Sequence, residues 1–339
     1  MYITPKPLFQ GAHVGIIAPA GPIRGNEEER EKVIRKCDEV LRAWGLEPYF
    51  YPTCQMAYGY LAGEDQARAQ DVMDAFLDDS IDGIFCIRGG YGVQRMLDLL
   101  DFEEIAKHPK WFAGYSDITA LHISLNQRCQ LVTYHTPMPS TEMIQGIDEY
   151  TTQWLKAAMF GDLTGGLIDE LPSATPVYSL WESEKPDKQA LQGGSAVKDQ
   201  GTISVKQGSI APVVAEGRLC GGNLSLVSSS IGTPFAIETK GKILFLEDVH
   251  EDVYRLDGML NHMRLAGLFK DCAGIVMGYY TDCGSEEDVM KLEQVCRDLF
   301  PKDKPVLMNY SCGHQRPTMS LPLGTNVRLD VKAGTLSVL

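Results

Sequence analysis

The sequence lacks the patterns that mark several large classes of protein. Its nine cysteines are scattered singly over 339 residues with no C-x-x-C pair, which argues against a disulfide framework and a clustered zinc site. No apolar run approaches the roughly 20 residues that span a bilayer. The N-terminus also has no basic start followed by a long apolar stretch. We therefore expect no metal, no membrane span and no secretory signal, and by default a cytoplasmic protein.

Positive charge is also scarce. The chain has 31 Lys and Arg against 45 Asp and Glu, a formal net charge of −14, and no basic run is interleaved with aromatics, so a phosphate backbone would be repelled. The glycine patterns G-x-G-x-x-G and G-x-x-x-x-G-K-[ST] are both missing, and Ala18-Pro-Ala-Gly-Pro22 follows the first predicted strand. The sequence argues against nucleic acid as a partner and against NAD or ATP as a cofactor.

What the chain does contain is a repeated β-α pattern over its first 135 residues. Apolar strands alternate there with amphipathic helices, which predicts a parallel sheet with helices on both faces and ligands beyond the carboxyl ends of the strands. The predicted elements are Val14–Ala18, a helix from Asn26 to a stop at Gly45, Leu46–Tyr51, a helix over Glu64–Leu77, Gly83–Ile87, a helix after Tyr91, a strand that ends at Ser116, and Leu131–Tyr134.

A change in composition divides the chain. The segment from Pro172 to Gln207 is polar and irregular, as expected for a connection between domains. Beyond it come short apolar runs, notably Lys242–Leu246, and a helix over Tyr254–Leu268. We predict an N-terminal α/β domain over residues 1–165, a linker or long loop over 166–207, and a C-terminal domain over 208–339.

One serine stands where a predicted strand gives way to a helix. Gly114-Tyr115-Ser116 keeps the first half of the G-x-S-x-G elbow, which presents a nucleophile near backbone N–H groups that can stabilise an oxyanion. The residues alone fit equally well a helix cap at Ser116, with Asp117 favouring the helix dipole.

A serine nucleophile needs a base, and the base needs a carboxylate. Among the seven histidines, His135 at a strand end and His314 in a glycine- and proline-rich loop are candidates between which the residues do not decide. Glu247 and Asp248 end an apolar strand. Either could supply the carboxylate or simply cap the next turn.

Six short segments occur in order along nearly the whole chain. They are Gly59–Gly63, Cys86–Gly92, Gly114–Thr119, Gly221–Asn223, Leu246–Asp248, and Gly313–His314 with Leu321–Gly324. Together they resemble the LD-carboxypeptidase family of serine peptidases, whose relatives include the microcin C self-immunity peptidases. The resemblance implies an α/β fold, with a parallel-sheet N-terminal domain of Rossmann or flavodoxin type and a smaller, strand-rich C-terminal domain.

The same resemblance implies the site. It assigns the nucleophile to Ser116, the carboxylate to Glu247 and the base to His314. It also implies an oxyanion hole made by the backbone N–H of Asp117 and an N–H of the Gly89–Gly90 loop. On this reading His135 has a structural role.

The implied substrate is a murein tetrapeptide, cut between an L-centre (diaminopimelate or lysine) and the terminal D-alanine during peptidoglycan recycling. The implied enzyme is a homodimer without a cofactor. Arg88 and Arg95 flank the glycine loop and are candidates for binding the terminal carboxylate, although both could instead pair with surface carboxylates. Tyr91 and Asn223 are further candidates for contact with substrate.

Two alternatives remain at this point. A microcin C-type immunity peptidase would cut an amide between a peptidyl or aminoacyl group and a nucleotide, and Trp181 could then stack on the base. An inactive protein that binds peptidoglycan fragments is the other alternative. The presence of Ser116, Glu247 and His314 together argues against it, because a binder does not need all three.

Overall fold

The computed structural model describes residues 2–161, 163, 170–181, 212–285 and 290–339. Its strands are β1 His13–Ile17, β2 Glu47–Phe50, β3 Gly83–Cys86, β4 Trp111–Gly114, β5 Thr133–His135, β6 Glu170–Pro172, β7 Tyr178–Ser179, β8 Val214–Asn223, β9 Ile243–Val249, β10 Gly274–Thr281, β11 Val306–Met308, β12 Leu321–Leu323, β13 Asn326–Asp330 and β14 Thr335–Val338. Its α-helices are α1 Glu27–Ala43, α2 Asp65–Leu77, α3 Phe102–Ile105, α4 Thr119–Arg128, α5 Glu149–Phe160, α6 Leu224–Ser230, α7 Val253–Leu265, α8 Leu268–Asp271 and α9 Leu292–Leu299. No helix within those ranges is both long and apolar enough to cross a membrane.

The first sheet has six strands in the order β12-β5-β4-β3-β1-β2. Strands β1 to β5 are mutually parallel, and β12 pairs antiparallel with β5 at the edge. The predicted parallel α/β architecture is confirmed. The edge strand Leu321–Leu323 comes from the far end of the chain, so the sheet of the N-terminal half is completed by the C-terminal half.

Local sequence explains how the first helix begins. The Asn26 side chain accepts a hydrogen bond from the Glu29 N–H at 3.0 Å, and the Glu29 side chain accepts one from the Asn26 N–H at 2.7 Å. This reciprocal capping box satisfies two N–H groups that the helix itself cannot. The acidic first turn favours the same end through the helix dipole. The predicted start at Asn26 is confirmed.

The second sheet has eight strands in the order β6-β14-β13-β8-β9-β10-β11-β7. Its centre, β8 to β11, is parallel, whereas the flanking strands pair antiparallel. The carboxyl ends of β8 and β9 lie side by side, because Asn223 is in register with Glu247. This places Glu247 at the end of a sheet where a parallel α/β layer opens to ligands.

The two sheets share one hydrophobic core. Phe85, Trp111 and Tyr134 from the first sheet and Phe245 and Leu307 from the second belong to the same buried cluster. Trp111 stacks on Tyr134 with ring centroids 5.2 Å apart. Removing such large apolar surfaces from water contributes about 1.5 to 3 kcal/mol per side chain. The shared core therefore fixes the second sheet against the first.

Two of the connections between elements were also predicted from the sequence. The prediction of a helix after Tyr91 is wrong. Two short 3-10 turns, Val93–Arg95 and Leu97–Leu99, stand there instead and lead into the four-residue helix α3. The chain reaches them from Gly92 at a φ of 124°, so the turn replaces a continuous helix. The linker expected over 166–207 falls mostly outside the described residues, and its described part supplies the edge strands β6 and β7.

A pair of glycine substitutions tests this packing. Gly221 on β8 has a φ of 120°, and a Cβ there would lie 1.9 Å from the carbonyl oxygen of Phe245. We expect Gly221→Ala to lower the free energy of unfolding by about 3 kcal/mol or more, through backbone strain and overpacking. Gly258, in the exposed part of α7, has open space around it, so Gly258→Ala should raise stability by up to about 1 kcal/mol. Denaturant unfolding of both variants measures the contrast, and a Gly221→Ala protein as stable as the wild type would contradict the described packing.

Candidate active site

Ser116 occupies a strained turn between a strand and a helix. Strand β4 ends at Gly114, and a 3-10 helix Ser116–Ile118 leads directly into α4. Ser116 has a φ of 65°, a conformation that costs a residue with a side chain energy unless the surroundings enforce it. The elbow predicted from Gly114-Tyr115-Ser116 is present in the backbone. It is the geometry that turns a hydroxyl out of a sheet edge.

The glycine loop after β3 lies directly against this serine. A Cβ on Gly89 would stand 2.8 Å from the Cβ of Ser116, and one on Gly90 would stand 3.0 Å from Gly21. Only glycine allows the loop to approach so closely. The first N–H groups of a helix have no partner within it, and Asp117 lies in that first turn. The elements proposed for the oxyanion hole are therefore neighbours of Ser116.

The Asp117 side chain points away from this role and into the fold. It is buried, and its carboxylate accepts a hydrogen bond from the Val93 N–H at 2.9 Å. Burial raises the pKa of Asp117 to about 6, although the Val93 hydrogen bond and the Arg68 charge oppose the shift. The side chain thus connects the elbow to the turn after the glycine loop.

Arg68 stabilises the glycine loop through hydrogen bonds to backbone carbonyl groups. Its side chain is fully buried, and it donates to the carbonyls of Pro19 at 2.5 Å and Gly92 at 2.8 Å. It also pairs with Asp65. These bonds join the loop after β1 to the glycine loop. Sequence analysis missed this residue, because a lone arginine on a helix is usually solvated.

Glu247 and His314 form the electrostatic centre of the site. His314 Nδ1 lies 2.7 Å from Glu247 Oε2, and the Glu247 side chain is completely buried. Burial raises the pKa of Glu247, although the His314 charge and hydrogen bond oppose it. Burial alone would lower the pKa of His314, but the Glu247 charge and hydrogen bond raise it above its ordinary value. The pair can therefore hold a proton on the imidazole.

Tyr115 places the His314 ring next to the elbow. The two ring centroids are 4.7 Å apart, and Tyr115 immediately precedes Ser116. The Tyr115 hydroxyl donates to the Glu142 carboxylate at 2.6 Å, which fixes the ring. Tyr115 thus links the Ser116 elbow to the His314–Glu247 pair, although these residues lie far apart in the sequence. Tyr115 and Glu142 were not identified from sequence, since nothing local links them to His314.

His135 lies beneath this arrangement rather than in it. The ring is buried, with centroids 5.5 Å from Tyr115 and 5.3 Å from Phe245. Neither ring nitrogen has a hydrogen-bond partner among the described residues. Burial and the charges of His122 and His314 lower the pKa of His135 well below its ordinary value. A neutral, enclosed ring fits the structural role better than that of a base.

Asn223 is buried in the support of the site. Its backbone N–H donates to the Thr119 hydroxyl at 3.0 Å, and its side chain donates to Asp248 at 2.9 Å. Asp248 in turn accepts hydrogen bonds from the backbone N–H and hydroxyl of Ser225. Because Thr119 begins α4, these bonds connect the carboxyl ends of β8 and β9 to the elbow helix. Asn223 is only 3% exposed, so its contacts are internal.

The other predicted substrate contacts differ in their surroundings. Arg88 and Tyr91 line a cavity of about 440 Å³ beside Gly90. Arg95 instead forms two-pronged hydrogen bonds with Asp65 at 2.9 to 3.1 Å. Trp181 donates its indole N–H to the carbonyl of Lys304 at 2.8 Å and packs against the C-terminal core.

Within the part of the chain that the structure describes, no group of three His, Cys, Asp or Glu side chains is arranged to hold a metal.

Two family models match this chain. One is the LD-carboxypeptidase N-terminal domain over residues 14–136, and the other is the LD-carboxypeptidase C-terminal domain over residues 216–329. A probable murein peptide carboxypeptidase of Bacillus subtilis strain 168 is 34% identical over 334 residues, which cover 98% of this chain and 92% of that protein. The fold and these matches define a peptidase. The chain belongs to the LD-carboxypeptidase family.

More distant relatives extend the comparison. The microcin C7 self-immunity protein MccF of Escherichia coli is 25% identical over 82% of this chain and 80% of its own length. A structure of MccF in complex with aspartyl sulfamoyl adenosine matches at a TM-score of 0.78 and 20% identity, over 99% of this chain and 98% of that one. The muramoyltetrapeptide carboxypeptidase from Oxalobacter formigenes matches at a TM-score of 0.74 and 24% identity, over 96% and 98% of the two chains. These structures confirm the fold.

The Glu247–His314 contact predicts how His314 titrates. We expect Glu247→Gln to lower the pKa of His314, because the charge that opposes burial is removed. Since a base must be neutral, the acid limb of the kcat/KM profile should move to lower pH in the variant, while the rate on its plateau falls. Nitrogen NMR of the imidazoles measures the pKa directly. His122, whose pKa burial lowers to about 4, serves as the internal control, and an unchanged His314 pKa would exclude the proposed coupling.

Proposed function

We propose that this protein is a serine carboxypeptidase acting on murein tetrapeptides. It hydrolyses the amide between an L-centre, diaminopimelate or lysine, and the terminal D-alanine, in peptidoglycan recycling. The observation that carries the proposal is the 2.7 Å contact between Glu247 and His314 beside the strained Ser116 elbow. A purely structural site has no need of that combination, whereas an acyl-transfer site requires each part.

In the first half of the proposed reaction, His314 takes the proton of the Ser116 hydroxyl. The freed oxygen attacks the scissile carbonyl carbon, and the negative charge moves to the carbonyl oxygen. Backbone N–H groups of Asp117 and the Gly89–Gly90 loop would stabilise that oxyanion. Collapse breaks the C–N bond, and D-alanine leaves with the proton held by His314. An acyl ester on Ser116 remains.

The second half repeats the cycle with water. His314 takes a proton from water, the resulting hydroxide attacks the ester, and the Ser116 oxygen leaves with that proton. Throughout, Glu247 stabilises the protonated imidazole and holds its Nδ1 in one orientation. Because Glu247 is buried, its charge acts in a medium of low polarity and is little screened by salt.

A substrate cut at its C-terminus must also have its carboxylate recognised. Arg88 is the better candidate of the two arginines predicted for this task, because it lines the cavity beside the glycine loop while Arg95 is already bound to Asp65. A guanidinium bound to a carboxylate gives a charge-assisted, directional contact. An acidic protein would use such a local cation to hold an anionic peptide.

The similarity to MccF supports a second candidate substrate, an amide between an aminoacyl group and a nucleotide. The triad chemistry would be the same, and only the leaving group would differ. Trp181 was the predicted platform for a base, but its indole is anchored to Lys304 within the C-terminal core. The relative with 34% identity is named a murein peptide carboxypeptidase, so we favour the cell-wall substrate.

Replacing the nucleophile provides the direct test. Incubation with L-Ala-γ-D-Glu-meso-diaminopimelate-D-Ala should release D-alanine, detected by mass spectrometry, and Ser116→Ala should reduce the rate by about 10³-fold or more. Ser337→Ala on strand β14 removes a hydroxyl elsewhere and should leave the rate unchanged.

The outcomes separate the alternatives. Release by wild type that persists in Ser116→Ala would contradict the nucleophile assignment. An untouched tetrapeptide combined with cleavage of aspartyl sulfamoyl adenosine would favour the MccF-type activity. Binding of the tetrapeptide without turnover of either compound would support the inactive fragment binder.

A further inference from the structure

A cavity of about 440 Å³ opens beside the glycine loop. It lies between the loop that follows β1, the turn at residues 57–60 and the glycine loop itself. Its lining includes Gly21, Arg24, Tyr60, Arg88, Gly90 and Tyr91. The rings of Tyr60 and Tyr91 meet edge to face, 5.6 Å apart, and both tyrosines are exposed. The cavity therefore combines an aromatic wall with two guanidinium groups.

The cavity adjoins the glycine loop of the candidate active site. Gly90 lines it, and its neighbour Gly89 packs against Ser116. Arg88 also donates to the Gly89 carbonyl at 3.3 Å. A ligand in the cavity would thus touch the loop whose N–H groups are proposed to hold the oxyanion.

The Arg88 side chain is held in place by hydrogen bonds to backbone carbonyl groups. It is partly buried, and it donates to the carbonyls of Pro22 at 3.0 Å and Gly89 at 3.3 Å. Neither Arg88 nor Arg24 is within ion-pair distance of a carboxylate in the described part of the chain. Arg68 and Arg95, by contrast, share the carboxylate of Asp65.

Two unpaired cations in one cavity repel each other. Burial and the nearby charge of Arg24 lower the pKa of Arg88, which is the expected signature of like charges in a partly desolvated place. The chain has 45 acidic residues, yet none lines this cavity among the described residues. Negative charge on a ligand would offset the repulsion between the two guanidinium groups.

We propose that Arg24 and Arg88 form a subsite for two carboxylates of one peptide substrate. The C-terminal carboxylate of D-alanine binds Arg88, and a second carboxylate of the same peptide binds Arg24. This inference rests on the proposed function. The second carboxylate has two sources in a murein tetrapeptide, the side chain of diaminopimelate and the α-carboxyl of D-glutamate. Lysine at the third position lacks the first of these and would bring an ammonium group instead.

Matched variants and matched peptides test the subsite. Binding is measured by calorimetry in the Ser116→Ala background, and kcat/KM is measured with Ser116 intact, for Arg24→Gln, Arg88→Gln and Arg35→Gln. Arg35 lies on α1 and pairs with Glu31 at the surface, so its substitution makes the same charge change away from the cavity. The peptides are the diaminopimelate tetrapeptide and three forms amidated singly, at the D-alanine, diaminopimelate or D-glutamate carboxyl.

Arg24→Gln should weaken binding of the free tetrapeptide by about 10- to 100-fold, the usual effect of losing a charge-assisted hydrogen bond. It should have little effect on the one peptide amidated at the carboxyl that Arg24 binds, which identifies the source. Arg88→Gln should behave in the same way toward the D-alanine amide. Arg35→Gln should bind all four peptides as the parent does.

Three outcomes would overturn part of this account. If Arg24→Gln weakens all four peptides equally, or none, the subsite is refuted. If the Ser116→Ala protein binds the tetrapeptide in the Arg24-dependent manner but wild type does not cleave it, the subsite stands and the proposed hydrolysis fails. If no peptide binds and wild type cleaves none, both proposals fail.

Discussion

The contact between the buried Glu247 carboxylate and the His314 ring is the interaction on which the site depends. A carboxylate with no exposed surface is costly unless a charged or hydrogen-bonding partner compensates it. His314 supplies that partner, and the same contact prepares the ring to hold a proton. Stability and chemistry are coupled here, because removing either partner leaves an unpaired polar group in the fold.

Several glycines lie where a larger residue would collide with a side chain of the site. A Cβ on Gly313 would lie 3.0 Å from Glu247 Oε2, and one on Gly278 would lie 3.2 Å from the Glu247 Cβ. At the elbow, the absence of a Cβ on Gly89 leaves space for Ser116. The glycines are therefore placed where backbone must approach a functional side chain. The core that the two sheets share then fixes Ser116, at the end of a strand of the first sheet, relative to Glu247 on the second.

Local patterns in the sequence predict a large part of the fold. Periodicity predicted the alternating strands and helices up to β5, except for the helix expected after Tyr91, and the polar residues around Asn26 predicted the capped start of α1. The Gly114-Tyr115-Ser116 elbow could also be recognised locally. The order of strands in the second sheet and the addition of Leu321–Leu323 to the first could not, because they depend on contacts between residues far apart in the chain.

The site shows the same division. Periodicity and spacing left His135 and His314 equal as candidate bases, and only the resemblance to a family favoured His314. The reason is tertiary: His135 is enclosed under Tyr115, whereas His314 reaches Glu247 from a loop. Arg24 and Arg68 gave no signal, since an arginine acquires its role from the backbone and charges that folding brings around it. Asn223 is a predicted substrate contact, and in the structure its side chain donates to Asp248 within the fold.

Ser116 should react as an activated nucleophile. The most direct measurement is peptide mapping by mass spectrometry after treatment with a fluorophosphonate, a reagent that modifies activated serines. We expect a single adduct on Ser116, whose formation is lost in His314→Ala and strongly slowed in Glu247→Gln. An unmodified Ser116, or labelling that is unaffected by either substitution, would contradict it.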